Sequence, residues 1–374
     1  MPLSRRALLG ASLLACPFLA AAAPAPREIT DITGRRVRVA SPARRVILGE
    51  GRQMYLVAAL MREAPFERVV GWRDDFRKAD LDGYNAYRET YAAQMDRLPV
   101  FGGTKEGTFD VEQAIELRPD AVIMNLESRA ATEGAGLIEK LGAVGIPVLF
   151  IDFRERPFEN AGRSIAIMGE VLGVEARAGE LAAFRQAEMD KVTQRLAGFA
   201  GPRPKVMVER AGGYDESCCM SFGNENFGRM VTLAGGENIA ARLIPGTFGT
   251  VNPEQVIAAQ PDAVVVTGAN WELYSPGGAW VGVGPGADPE VARRKLRALM
   301  QRPAYRHLPA GRGVRVHAIW HQFYDNPYQF VAIQALAKWL HPELFADLDP
   351  EATFRAFHER FLPVAYRPGY WVSL

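Results

Sequence analysis

Three groups of residues have the types and spacing for chemistry. His317-Ala-Ile-Trp-His321 has the i, i+4 interval that puts two imidazoles on one face of a helix to chelate zinc. The run Val314–Trp320 reads as a strand, however, and four residues of strand span about 13 Å at 3.3 Å per residue. One ion cannot bridge that gap, so the pair is rejected as a metal site. His321 is left at a strand end beside Tyr324, suited to a hydrogen bond or to completing the coordination of a metal already held by other ligands. Cys218 and Cys219 are adjacent and can close only a strained ring. Reduced, buried thiols are expected; a vicinal disulfide is the alternative, and a metal role comes last of the three. Gly282-Val-Gly284-Pro-Gly286 is glycine-rich but follows no buried strand, and Pro285 interrupts it, so it is a loop and not a dinucleotide fingerprint. No Gly-x-Ser-x-Gly elbow, Walker loop or His-Glu-x-x-His occurs in the chain, which removes the commonest hydrolase and nucleotide-hydrolysing signatures.

The elements that must position these residues announce themselves by repetition. Asp110-Val-Glu112-Gln113-Ala-Ile115-Glu-Leu-Arg-Pro119-Asp120-Ala121-Val122-Ile-Met124 recurs as Asn252-Pro-Glu254-Gln255-Val-Ile257-Ala-Ala-Gln-Pro261-Asp262-Ala263-Val264-Val-Val266, with seven identities in fifteen places. In each copy Asp or Asn caps a short helix, Pro stops it, and an apolar run follows of the kind buried on both faces of a parallel sheet. Two copies are too few for a solenoid and suit two similar α/β lobes. Between them, Phe158–Leu172 and Glu175–Leu196 are rich in Ala, Glu, Arg, Leu and Met, all good helix formers. The second stretch predicts a helix of about 33 Å, a stiff strut between lobes where a Gly/Ser linker would let them swing.

Strands are predicted in the first lobe as a hairpin over Ile29–Arg38 around Thr33-Gly34, then at Arg45–Leu48, Val69–Trp72, Ala121–Met124 and Pro147–Ile151. In the second they fall at Lys205–Glu209, Ala263–Val266 and Val314–Trp320, with the last strong helix over Pro327–Leu340. Alternating strands and helices give an α/β fold with mostly parallel sheets. The bounds are 27–154 for the first lobe, 155–199 for the connecting helix and 200–374 for the second.

The chain carries 44 Lys+Arg against 43 Asp+Glu, a net charge of +1. That near-neutral balance gives no basic field for nucleic acid. Residues 1–26 combine a charged start, a short apolar run and Ala21-Ala22-Ala23, the make-up of a cleaved export signal. Ser4-Arg5-Arg6-x-Leu8-Leu9 is similar to a twin-arginine signal, an ordinary secretory signal being the alternative. Leu13-Leu14-Ala15-Cys16 also looks like a lipoprotein cleavage box. Removing Arg5 and Arg6 takes the charge from +1 to −1, so the mature chain stays near neutral.

Asp31-Ile-Thr-Gly34-Arg-Arg-Val37-Arg-Val39, with Pro42 and Arg45-Val46-Ile47, resembles the mature start of iron-siderophore binding proteins. The paired Glu-x-x-x-x-x-x-Pro-Asp-x-Val segments and Gly235-Gly236-Glu237-Asn238-Ile239 are marks of the same family, the substrate-binding components of ABC importers for iron complexes, haem and vitamin B12. The resemblance spans about residues 28 to 340. It implies two Rossmann-like lobes joined by one rigid helix, an exported, periplasmic and monomeric protein, and delivery of cargo to a permease driven by an ATPase. Glu112 and Glu254 fall where relatives pair with arginines of the permease, although a first-turn glutamate also suits a helix cap.

The resemblance further puts the ligand cleft at the strand ends. Arg52, Arg73, Lys105 and Arg210 then become a cationic lining, with Trp72, Phe248, Trp320, His321 and Tyr324 as aromatic and polar walls. Guanidinium forks match carboxylate or catecholate oxygens and stack on flat faces. The implied cargo is a ferric siderophore, with no resident cofactor or metal. Cobalamin, haem or another chelated metal is the alternative, and a chelatase-like enzyme survives only as a fold-level analogy.

Overall fold

The computed structural model describes residues 25–306, 308 and 313–374. Most of the export-signal segment, with Arg5, Arg6 and Cys16, lies outside them; the first strand already begins at Ala25, inside the range assigned to the signal.

Strands β1 (Ala25–Thr30) and β2 (Arg36–Ser41) form the expected antiparallel hairpin. The Asp31 carboxylate accepts the backbone N–H groups of Thr33 and Arg35, and Gly34 sits at φ +86°, a conformation glycine adopts without steric cost. β3 (Val46–Leu48), β4 (Val69–Arg73), β5 (Val100–Phe101), β6 (Ala121–Asn125) and β7 (Val148–Ile151) make the first sheet. Its order is β5-β4-β3-β6-β7, parallel throughout. β6 and β7 are buried on both faces, as their unbroken apolar runs require.

The second sheet contains β8 (Lys205–Glu209) and, beyond the short β9 (Met220–Phe222), β10 (Glu237–Asn238). After β11 (Phe248–Thr250) come β12 (Ala263–Gly268), β13 (Arg315–Trp320) and β14 (Trp371–Ser373). The order is β10-β8-β12-β13-β14, parallel except for β14 at the edge. β9 and β11 pair separately as an antiparallel ribbon. The chain is therefore an α/β protein with two mostly parallel five-stranded sheets.

The helices that matter for the site are α1 (Leu81–Met95), α2 (Val111–Glu116), α3 (Pro157–Leu172), α4 (Glu175–Ala197), α5 (Pro253–Ala259), α6 (Gln329–Leu340) and α7 (Pro350–Phe361). α2 and α5 are the repeated helices. The Asp110 carboxylate accepts the Gln113 N–H at 2.9 Å, and the Asn252 side-chain oxygen accepts the Glu254 N–H at 2.8 Å. α4 spans its 23 residues, roughly 34 Å. It is packed along its length, burying Leu181, Met189 and Val192 against α3 and α6.

Two features went beyond the sequence expectation. The helix ending at Leu340 is not the last strong one: α7 follows, and β14 adds an antiparallel edge to β13. A three-residue strand carries too short a pattern to be read alone; its partner defines it.

Candidate functional site

Each functional loop leaves the carboxyl end of a parallel strand, where open α/β sheets place their ligands. β3 runs into Glu50-Gly51-Arg52, β4 into Arg73-Asp74-Asp75, β7 into Asp152–Arg154, β8 into Arg210 and β13 into His321–Asp325. The Gly51 backbone passes so close to β4 that a Cβ there would meet the Arg73 carbonyl oxygen at 2.2 Å. That approach lets the Gly51 N–H donate to Asp75 at 2.6 Å. Asp152, fully buried, shapes the loop after β7. Its carboxylate accepts the backbone N–H groups of Arg154, Glu155 and Arg156 and the Asn160 side-chain amide.

These loops meet in a buried ion network that joins the lobes. The Arg52 guanidinium is 5% exposed and donates to Asp75 (2.8 Å), Glu50, Gln322 (3.0 Å) and the Tyr324 hydroxyl. Arg154 donates to Glu50 (2.8 Å), to the same Tyr324 hydroxyl (2.9 Å) and to Glu127 (2.8 Å). Both guanidinium groups lie against the Tyr324 ring, at 5.3 and 5.0 Å. Burial alone would raise the Glu50 carboxyl, but the Arg154 and Arg52 charges outweigh it and hold Glu50 at about 2. Asp325 shares this space and goes the other way: burial and the Glu50 charge push its carboxyl well above the usual carboxylate value, against the pull of Arg52 and Arg154. Asp75 is also raised by burial, against the pull of Arg52.

Further bonds close the seam between the lobes. Asn226 donates to the carbonyls of Arg154 and Tyr324, both at 3.0 Å. Gln322 donates to the Ala79 carbonyl (2.7 Å), and Asn270 to Asp82 (2.7 Å). Asp80, fully buried, accepts from the Tyr55 hydroxyl and from Trp320 Nε1 at 3.4 Å. Desolvation raises its carboxyl to about 7, with the neighbouring Asp82 adding to the effect.

Above the network lies a small hollow. Arg154, Glu127 and Glu155 line it from the first lobe, and Arg210, Phe222, Asn226, Thr247, Phe248 and Tyr324 from the second. Arg210 lies 4.4 Å over the ring of Phe248, which is 51% exposed. Its guanidinium is 3.7 Å from the Met220 sulfur and, among the described residues, has no carboxylate within salt-bridge distance. Desolvation and then the Arg154 charge lower its pKa, against the pull of Tyr324 and Glu127. Glu155 is raised by burial and by Asp152 and Glu127.

Of the residues expected in the cleft, the structure brings together Arg210, Phe248 and Tyr324. Arg52 is beneath them, saturated with partners. Lys105 is paired with Glu127, and Arg73 with Glu106 at 2.8 Å, both at the rim. His321 is behind the floor, its Nδ1 2.9 Å from the Thr267 hydroxyl. Burial, then the nearby Arg210, Arg52 and Arg154, drive its pKa well below the usual value, so it is neutral. Trp72 and Trp320 do not wall the hollow: both are core residues, packed against Phe66 and Phe76, and against Tyr55 and Tyr370. Their strand-end positions were read correctly, but their side chains point into the sheet packing. His317 is on β13, stacked 4.3 Å from Trp339 and bonded to Ser373, so the two histidines are apart as the strand reading required.

Arg154 is the main residue that sequence reasoning missed. Its one signal was its place just after the β7 run. The exposed aromatics Tyr214 and Tyr274 around Trp271 gave no periodic signal at all. Cys218 and Cys219 form a disulfide, which corrects the expectation of reduced thiols: with Cα atoms 3.1 Å apart, the two sulfurs reach each other.

A model of the periplasmic binding protein family matches residues 82–320. No curated protein matches the chain. Among solved structures, a TroA-like periplasmic binding protein, FepB from Veillonella parvula, is similar at 28% identity with a TM-score of 0.84, over 93% of this chain and 99% of that one. The molybdate periplasmic binding protein MolA of Haemophilus influenzae, bound to molybdate, is 19% identical with a TM-score of 0.67, over 91% of this chain and 99% of that one. A periplasmic heme binding protein from Pseudomonas aeruginosa is 19% identical with a TM-score of 0.55, over 80% and 94%. At those last identities the likeness is one of fold.

Two outcomes follow from the buried network. Arg52→Met leaves Glu50 and Asp75 short of a counter-charge and is expected to cost about 3–5 kcal/mol in urea unfolding. Asp80 titrates near 7 when folded and near 3.9 when unfolded, so the folded state binds the extra proton between those values. Its contribution to stability is full below pH ~4 and is lost as the pH rises through 7, at no more than about 1.4 kcal/mol per pH unit. Unfolding measured from pH 4 to 8 should show that decline, and Asp80→Asn should flatten it.

Proposed function

The chain belongs to the periplasmic binding protein family, whose members bind solutes for ABC permeases and are not enzymes, and on that premise we propose that its cargo is a ferric siderophore. The observation that carries this reading is Arg210: a partly buried cation, laid over an exposed aromatic plate and lacking a carboxylate partner among the described residues. An oxyanion of the cargo, carboxylate or catecholate, supplies the missing charge, while Phe248 takes the flat face beside it.

The state of the other polar groups supports a cargo whose metal is already fully coordinated. The Tyr324 hydroxyl is occupied by two arginines, and His321 is tied to Thr267 behind the floor. Neither is left to serve as an axial ligand, which counts against haem. Cobalamin carries few anionic groups, so it would leave Arg210 unmatched.

In this reading the cleft is largely preformed. Residues 27–154 and 200–374 act as lobes, and residues 155–199 as a brace packed against both. Because the seam is already bonded, capture requires little ordering, and a preorganised site loses less free energy on binding. The protein works as a periplasmic monomer that passes its cargo to a permease and its ATPase. Glu112 and Glu254 are the proposed docking contacts. Each is exposed in the first turn of a matching helix, and neither carboxylate has a side-chain partner among the described residues. Such charges set orientation and encounter rate more than affinity.

Tryptophan quenching is a suitable readout, since Trp271 packs 5.5 Å from His321 behind the floor. Titration with ferric catecholate, hydroxamate and citrate-type chelates should saturate for at least one of them. Arg210→Ala should weaken that binding about 10- to 100-fold, the worth of a charge-assisted hydrogen bond. Saturation by cobalamin or haem, with no response to any iron chelate, would overturn the assignment. For docking, Glu112→Ala combined with Glu254→Ala should abolish uptake in cells while leaving chelate affinity unchanged; an unaltered uptake rate would remove that role.

A further inference from the structure

The second lobe holds a group of ligand atoms that the cargo cleft does not use. Glu209 ends β8 immediately before Arg210, and by the alternation of a strand its side chain points to the opposite face of the sheet. There it is 2% exposed. One carboxylate oxygen accepts from Arg302 at 3.0 Å. The other faces the Tyr305 hydroxyl and, at 3.8 Å, the Cys218 sulfur. The donor atoms of Glu209, Cys218 and Cys219 all lie within 4.8 Å of one another.

In the disulfide form the sulfurs are not metal ligands, because only thiolates bind metals strongly. We infer that reduction of the Cys218–Cys219 disulfide converts this cluster into a site for one soft divalent cation of the zinc or cadmium kind, held by two thiolates and the Glu209 carboxylate. The step balances simply. An external dithiol transfers two electrons and two protons to the S–S bond and becomes a disulfide itself, leaving two thiols on the protein. The incoming cation then displaces both thiol protons.

Charge and placement support the site. Two thiolates and a carboxylate carry three negative charges, and a divalent cation together with the Arg302 guanidinium neutralises them. Without the cation, the reduced sulfurs keep their protons as thiols beside the buried carboxylate. Arg302 also orients Glu209 by occupying one oxygen, and the cation takes the other in place of the Tyr305 hydroxyl. The backbone keeps the cysteines in place independently of their bond. The Cys219 carbonyl accepts from Val251 N–H at 3.0 Å, and Arg210 N–H donates to the Met220 carbonyl at 2.7 Å. Cys218 is only part-buried, which leaves a path for the ion. Thiolate donors select zinc-like ions over calcium or magnesium.

The test uses the purified full chain, either oxidised or reduced and then freed of reductant under nitrogen, titrated with cadmium chloride. The readouts are the ultraviolet thiolate-to-cadmium charge-transfer band and the cadmium content per chain. Reduced protein should take up one ion with the band; oxidised protein should take up none. Cys218→Ser and Cys219→Ser should each lose the band, and Glu209→Gln should retain it with affinity about tenfold or more weaker. Failure of reduced protein to bind cadmium, equal binding by the oxidised form, or an unchanged affinity in Glu209→Gln would each overturn the site. Circular dichroism of each variant checks that the fold is retained. None of these readouts depends on which cargo the cleft takes.

Discussion

Two guanidinium groups cannot lie against one tyrosine ring in the interior of a protein without anions to hold them there. Arg52 and Arg154 do so because Glu50, Asp75 and Glu127 converge on them from the first lobe while Tyr324, Gln322 and Asp325 approach from the second. Burying such charges costs several kcal/mol per ion unless nearly every hydrogen-bonding direction is used. The satisfied geometry is therefore available only when the lobes stand in one relation to each other. Asp325 shows how narrow the balance is: the arginines hold Glu50 at about 2, while burial and the Glu50 charge push its neighbour upward.

That constraint decides what the cleft can offer a ligand. Arg52, a natural candidate for gripping an anion, is spent on holding the floor together. Arg154 is largely occupied too, by Glu50, Glu127 and Tyr324. The charge still seeking a partner is Arg210, which reaches the hollow from the end of β8 and rests on Phe248 rather than on a carboxylate. Burial lowers the pKa of a cation placed this way, against the pull of Tyr324 and Glu127. In the proposed function, an anionic cargo offsets that loss of hydration.

Much of the architecture was legible in the sequence because it rests on local rules. The paired cap-helix-Pro-strand segments fold as read, with Asp110 and Asn252 each bonding into the first turn of its helix. The long helix over Glu175–Ala197 appears where its composition demanded one. The short edge strand β14 and the helix α7 were not legible, the first because it exists only through pairing with β13. Of the residues expected from type and strand-end position, Arg210, Phe248 and Tyr324 meet around one hollow. The same reasoning put Trp72 and Trp320 on the cleft walls, although their side chains turn into the packing behind them.

Sequence by itself determined the locally patterned elements: the main buried strands, the capped helices of the repeat and the long helix between them. Those depend on neighbours a few residues apart. The tertiary structure alone decided the roles of individual charges. Arg52 and Arg210 look alike in sequence, each just beyond an apolar strand. One meets acids from three separate loops and the other, among the described residues, has no carboxylate within salt-bridge distance; contacts over such separations leave no local trace. The same distinction separates Glu209, folded against Cys218 and Arg302, from Glu254, which stands open to solvent.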